Sequence, residues 1–160
     1  MKNLQIPAYT QHFIRQQVMP GDICIDATMG NGNDTVLLSR LAGENGRVLA
    51  FDIQKQALEH TEERLKKDDC PENYQLFLDS HENMAAYAEA ETVSCITFNL
   101  GYLPGGDHSV ATRADSSKRA VESGLTLLKK GGLMTICIYS GGDTGFQERD
   151  AMLSFIRQLD

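Results

Sequence analysis

The chain has 160 residues, about one domain by length, and a core of that size buries roughly two-thirds of the unfolded surface without a disulfide or metal staple. With 15 Lys and Arg against 22 Asp and Glu, the formal net charge is −7. That excludes a surface that is a nucleic-acid footprint throughout, though not a local basic patch, while 41% hydrophobic and 23% charged residues exclude a disordered chain.

The longest apolar runs are a few residues, so no membrane span is expected. Met1 to Pro20 lacks an apolar core followed by a small-residue cleavage site, so no signal peptide is expected. Cys24, Cys70, Cys95 and Cys137 contain no C-x-x-C pair, and three of them lie in apolar, strand-like runs. Reduced, structural thiols in a cytoplasmic protein are expected, and no metal site.

In chain order, an early helix is predicted over Tyr9 to Gln17, then a strand over Asp22 to Ala27 and a helix over Asp34 to Leu41. Arg47 to Asp52 reads as the second strand. Gln54 to Lys67 reads as a helix, with Ala57, Leu58, Thr61 and Leu65 on one stripe. Tyr74 to Leu78 and Val93 to Phe98 are the third and fourth strands. Ser116 to Lys130 is predicted as a long helix stopped by Gly131-Gly132. Leu133 to Tyr139 is the fifth strand, and Phe146 to Leu159 the last helix. Strands apolar on both faces, alternating with helices, imply an α/β fold of Rossmann-like type: one domain over 1–160, its mainly parallel sheet covered by helices on both sides.

In such sheets ligands bind beyond the carboxyl ends of the strands. Four of the five strand ends are polar there: Asp26-Ala27-Thr28, Asp52, Asp79 and Asn99. The first turn continues Met29-Gly30-Asn31-Gly32-Asn33-Asp34-Thr35. Gly30 and Gly32 let the backbone approach a ligand closely. The third glycine of a dinucleotide loop is replaced by Thr35, and the G-K-[ST] of a phosphate loop is absent. Asp34 opens the next helix and would repel a pyrophosphate. An acidic loop suits a cation, so S-adenosylmethionine, with its sulfonium and amino group, is favoured over NAD. Asp52, 20 residues after Gly32, is placed to accept both ribose hydroxyls, with Ile53 and Gln54 beside it. Asp79 and Ser80 are candidates for the adenine amino group.

The fourth strand runs into Asn99-Leu100-Gly101-Tyr102-Leu103-Pro104-Gly105-Gly106-Asp107. An Asn at a strand end followed by an aromatic residue resembles the N-P-P-Y loop of amino-methyltransferases. The Asn99 side-chain oxygen and the Leu100 carbonyl can accept the two N–H bonds of an amine and aim its lone pair. Tyr102 can stack on a flat base. Catalysis is then mostly proximity and orientation.

Asp26 to Thr35, Asp79-Ser80-His81 and Asn99 to Asp107 together resemble the small bacterial class I methyltransferases of the MnmM (formerly YtqB) type, earlier described as rRNA methylases. The resemblance covers about Leu4 to Gly145, and the Asn99–Asp107 block is its most specific part. It implies methylation of the aminomethyl group of 5-aminomethyl-2-thiouridine at the tRNA wobble position, with tRNA as partner. It implies that Asp26 to Thr35, Asp52 and Asp79 to His81 hold the cofactor, and that Asn99 to Tyr102 face the methyl and the amine. Tyr102, Leu103, Pro104, Asp107, Arg113 and His12 are the substrate-side candidates. His60 is expected to be solvated. His108 and the basic group Arg113, Lys118 and Arg119 are further candidates for RNA contact. An rRNA or small-amine methyltransferase, and a cofactor-binding module without turnover, are the alternatives.

Two departures stand out. The family reads close to Y-Y-G-H-x-G-G after strand five. Here Tyr139-Ser140-Gly141-Gly142-Asp143-Thr144-Gly145 carries no His. Also, two C-terminal strands of the fold have no counterpart before Asp160. The expectation is a shortened form of a longer protein, whose exposed fifth strand pairs with a second copy as a homodimer or lowers solubility.

Overall fold

The structure is a computed structural model, and it describes residues 5–101, 114–139 and 145–159, the last segment by backbone alone over 145–148. Its elements in chain order are α1 (Ile6–Gln17), β1 (Ile23–Asp26), α2 (Asn33–Ala42), β2 (Arg47–Asp52), α3 (Lys55–Lys67) and β3 (Tyr74–Leu78). A 3-10 helix (His81–Ala86), β4 (Val93–Leu100), α4 (Ala114–Leu127), β5 (Leu128–Ile138) and α5 (Gly145–Arg157) follow. The five strands form one parallel sheet in the order β3-β2-β1-β4-β5.

The sheet is buried on both sides because alternate strand residues point to opposite faces. Cys24, Val48 and Cys95 pack with Ile14 of α1 and Leu38 of α2. Their neighbours Ile25, Leu49 and Ile96 pack with Phe51, Phe98, Val121 of α4 and Met152 of α5. Each fully buried side chain of this kind contributes about 1.5–3 kcal/mol. Cys24 and Cys95 are register partners on adjacent strands and are free thiols, as are Cys70 and Cys137. Burial pushes the Cys24 thiol up to about 12.

The expected strands over 47–52 and 74–78 match β2 and β3 end to end. The fourth helix differs: α4 stops at Leu127, and residues 128–132 join β5 instead of finishing the helix. Val93 pairs with Leu128, and Cys95 with Leu133, so a bulge takes up Lys129 to Gly132. Gly131 allows the bulge with φ +80°, and its carbonyl accepts from Gln17 of α1. Strand pairing to buried Val93 thus overrides the helix-stop reading of Gly131-Gly132. The 3-10 helix was not expected. Ser80 caps it by accepting from the Glu82 N–H at 3.3 Å.

Candidate active site

The strand order reverses around β1, with β2 on one side and β4 on the other. Ligands of open parallel sheets bind at such a reversal, beyond the carboxyl strand ends. The Asp26–Thr35 loop, Asp52 and Asn99 lie there, on three adjacent strands.

Asp26 ends β1 and is fully buried. Its Oδ2 accepts from the Thr35 hydroxyl at 2.6 Å and its Oδ1 from the Thr28 N–H at 3.2 Å. Burial first, then the charge of Asp34, raises its carboxyl to about 7. Gly32 is the N-cap of α2 with φ +87°, and a Cβ there would stand 3.2 Å from the Thr61 backbone. Thr61 also donates its hydroxyl to the Gly30 carbonyl at 3.1 Å, so α3 braces the loop from behind. Asp52 accepts from the Gly30 N–H at 3.1 Å and the Gln54 N–H at 2.9 Å, while burial holds its carboxyl above the usual range. Ile53, beside it, is exposed.

Asp79 presents a different picture. Its Oδ2 accepts from the Tyr87 hydroxyl at 2.7 Å, and its Oδ1 from the Ser80 N–H and the Asn83 side-chain amide. The Tyr87 and Asn83 bonds hold its carboxyl below the usual range. Tyr87 packs on Phe51 and Phe77, with ring centroids 5.2 and 4.3 Å away. His81 is buried, 5.6 Å from the Phe98 ring. Burial lowers its imidazole to about 4, so it is neutral at pH 7.

Asn99 sits near the end of β4. Its backbone N–H donates to the Thr28 hydroxyl at 2.6 Å, and its side-chain Nδ2 donates to Asp34 Oδ2 at 2.8 Å. The Leu100 carbonyl already accepts from the Tyr139 N–H at 2.9 Å, leaving one lone pair for a ligand. Gly101 lies against Tyr139, whose Cβ would be 3.2 Å from a Cβ at that position.

The remaining candidates have other partners or lie on other elements. Asn31 and Asn33 face α3: Asn31 lies 3.5 Å from the ring of exposed His60, and Asn33 accepts from Arg64. A surface pocket of about 500 Å³ lies there, lined by Asn31, His60, Glu63, Arg64, Lys67 and Asp68. His12 is exposed on α1, 3.3 Å from the Gln16 side chain. Arg119 pairs with Glu82 at 3.0 Å. Tyr102, Leu103, Pro104, Asp107, His108 and Arg113 lie outside the described residues. Thr61 and Tyr87 are the site neighbours that sequence reasoning missed. Thr61 reads as one more position on an amphipathic stripe, and nothing local ties Tyr87 to Asp79.

Residues 48–160 match the family model described as "Putative rRNA methylase". The chain belongs to this family. A structure from Clostridium thermocellum described as a "putative rRNA-methylase" is 41% identical, with a TM-score of 0.95, over 100% of this chain and 86% of that one. A Streptococcus mutans "putative methyltransferase in complex with SAH" is 39% identical, with a TM-score of 0.86, over 98% and 83%. The Arabidopsis thaliana chloroplastic tRNA (mnm(5)s(2)U34)-methyltransferase is 36% identical over 90% of this chain and 56% of its own length. The chain spans about half the length of the curated relatives it matches.

The fold is therefore that of the class I methyltransferases, whose cofactor is S-adenosylmethionine. The residues at the strand ends fit that group. Asp34 and Asp52 place carboxylates where a cationic sulfonium compound would need counter-charge, beside the buried Asp26 carboxyl. At Gly32 a side chain would crowd the loop against α3.

Asp52→Ala tests the ribose assignment. It removes charged hydrogen-bond acceptors, so cofactor binding measured by calorimetry is expected to weaken by about 1–3 kcal/mol. Loss of the Gly30 tie should lower Tm by only about 2–4 °C. Unchanged affinity would take the ribose away from β2.

Proposed function

We propose that this protein is a single-domain, cytoplasmic S-adenosylmethionine-dependent RNA methyltransferase. Its substrate is the aminomethyl nitrogen of 5-aminomethyl-2-thiouridine at the tRNA wobble position. The observation that carries the reading is the seating of Asn99 against the acidic loop, through Thr28 at 2.6 Å and Asp34 at 2.8 Å. An amide acceptor beside a cation-binding loop is what an amine needs at an electrophilic methyl. The family match and the tRNA methyltransferase among the relatives support the substrate class.

When bound, S-adenosylmethionine supplies a methyl on a sulfonium: the amine lone pair forms the N–C bond as the C–S bond breaks, and the product nitrogen sheds one proton to water. The chain's own residues bind and orient. Asp52 would take the ribose hydroxyls. Asp34 would provide counter-charge, and Asp26, through Thr28 and Thr35, would hold the loop. Asn99 Oδ1 and the remaining lone pair of the Leu100 carbonyl would receive the N–H bonds of a neutral amine. No protein base is required, because the amine attacks with its own lone pair.

The described helices include none long and apolar enough to cross a membrane. The deciding experiment is methyl transfer from labelled cofactor into total tRNA lacking the modification, followed by nucleoside mass spectrometry. Label in 5-methylaminomethyl-2-thiouridine is expected. Label confined to rRNA or to small amines would replace the tRNA assignment, and no transfer to any acceptor would leave a binding module.

A further inference from the structure

We propose that Asp34 is a positioning residue: it holds the Asn99 carboxamide with Oδ1 turned to receive an N–H of the amine nucleophile. This rests on the amine-methylation reading above and adds to it a residue. A carboxylate only accepts hydrogen bonds, so the atom of Asn99 that lies 2.8 Å from Asp34 Oδ2 must be the amide nitrogen. The flipped amide would set two oxygens against each other at that distance. That bond uses one of the two Nδ2 protons and fixes which side of the amide carries the acceptor, Oδ1.

An amine meets that acceptor with an N–H. The carboxylate also polarises the amide, making Oδ1 a stronger acceptor. It further places negative charge behind the nitrogen that becomes positive as the N–C bond forms.

The surroundings fix Asp34 in turn. It lies in the first turn of α2, where the helix dipole favours a carboxylate, and it is 9% exposed. The neighbouring Asp26 is occupied by the Thr35 hydroxyl and the Thr28 N–H, so it does not compete for Asn99. The Thr28 hydroxyl anchors the Asn99 backbone, which leaves the side-chain torsions as the freedom for Asp34 to remove.

The test uses the full chain in two arms. In the first, the 15N-labelled Asn99 side-chain amide is assigned by its loss in Asn99→Ala. It should show two well-separated proton resonances that draw together in Asp34→Ala and stay apart in Asp34→Asn, which keeps an acceptor. In the second, Asp34→Ala should lower kcat at saturating cofactor by about 100-fold through misorientation, separately from the weaker cofactor Kd that loss of its counter-charge brings. Asp34→Ala should add nothing further in an Asn99→Ala background. If Asp34→Ala does not fold, Asp34→Ser takes its place. An unchanged amide pair in Asp34→Ala overturns the proposal, as does a variant that loses cofactor affinity but keeps kcat at saturation, or losses that add in the double variant. If the wild-type chain methylates no amine, the functional reading falls by itself, and the amide arm still decides how Asn99 is held.

Discussion

Asn99→Ala is expected to lower methyl transfer by about 100-fold or more, the scale of losing orientation at a reacting centre. Cofactor affinity should barely change. The Asn99 side chain donates to Asp34 and lies on the β4 side of the loop, away from Asp52 on β2. Its backbone bond to Thr28 survives the substitution. Single-turnover rates with saturating cofactor, set beside calorimetric Kd values, separate the two effects. Parallel loss of rate and affinity would mean that Asn99 serves the shape of the cofactor pocket, and that amine orientation comes from elsewhere.

Asp26→Asn should change how stability depends on pH. The native Asp26 carboxyl titrates at about 7, against the ordinary 3.8, chiefly because it is buried and secondly because Asp34 is negative. Native protein therefore holds this proton while the unfolded chain has released it. The resulting stability is fully present below about 4 and is lost as pH rises through about 7, by a few kcal/mol on the order of the shift. His81 works in the opposite direction. Its native imidazole titrates at about 4, against 6.5, because burial disfavours the cation, so stability is lost as pH falls through that window. Over the shared range the two slopes oppose each other and flatten the wild-type profile. Asp26→Asn removes one of them. Its Tm should fall more steeply than wild type on acidification from pH 7 to pH 5, and the variant should gain on wild type toward neutral pH. Asn can still accept from one of Thr35 and Thr28, so the fold should hold. Thermal unfolding across pH for both proteins checks this, and superimposable profiles would show that Asp26 does not titrate there.

The fold was legible because its main signal is local. Ile23–Asp26, Arg47–Asp52 and Tyr74–Leu78 are short apolar strands ending in or next to an acid, and the intervening helices carry 3.6-residue stripes such as Ala57, Thr61 and Leu65. The parallel order follows from that alternation, since each crossover helix must return the chain to the same edge. The Asn99 strand end and the glycine loop were legible for the same reason, being contiguous motifs at predictable places.

What the sequence by itself determined was the class of sheet, the position of its carboxyl edge, and the residue types standing on that edge. Tertiary structure alone decided how those residues divide their hydrogen bonds. Asp34 reads in sequence as a cofactor-side acid at a helix start, yet one of its oxygens is committed to Asn99, 65 residues away. Asp79 reads as an adenine acceptor, and Tyr87, Asn83 and Ser80 take three of its lone pairs, leaving one on Oδ2. Lys129 to Gly132 read as a helix end, yet they form a bulge against Val93. In each case the partner is a side chain or strand brought close only by folding. A donor or acceptor buried there must be satisfied by whatever the packing places within about 3 Å, and local propensity carries no information about that partner.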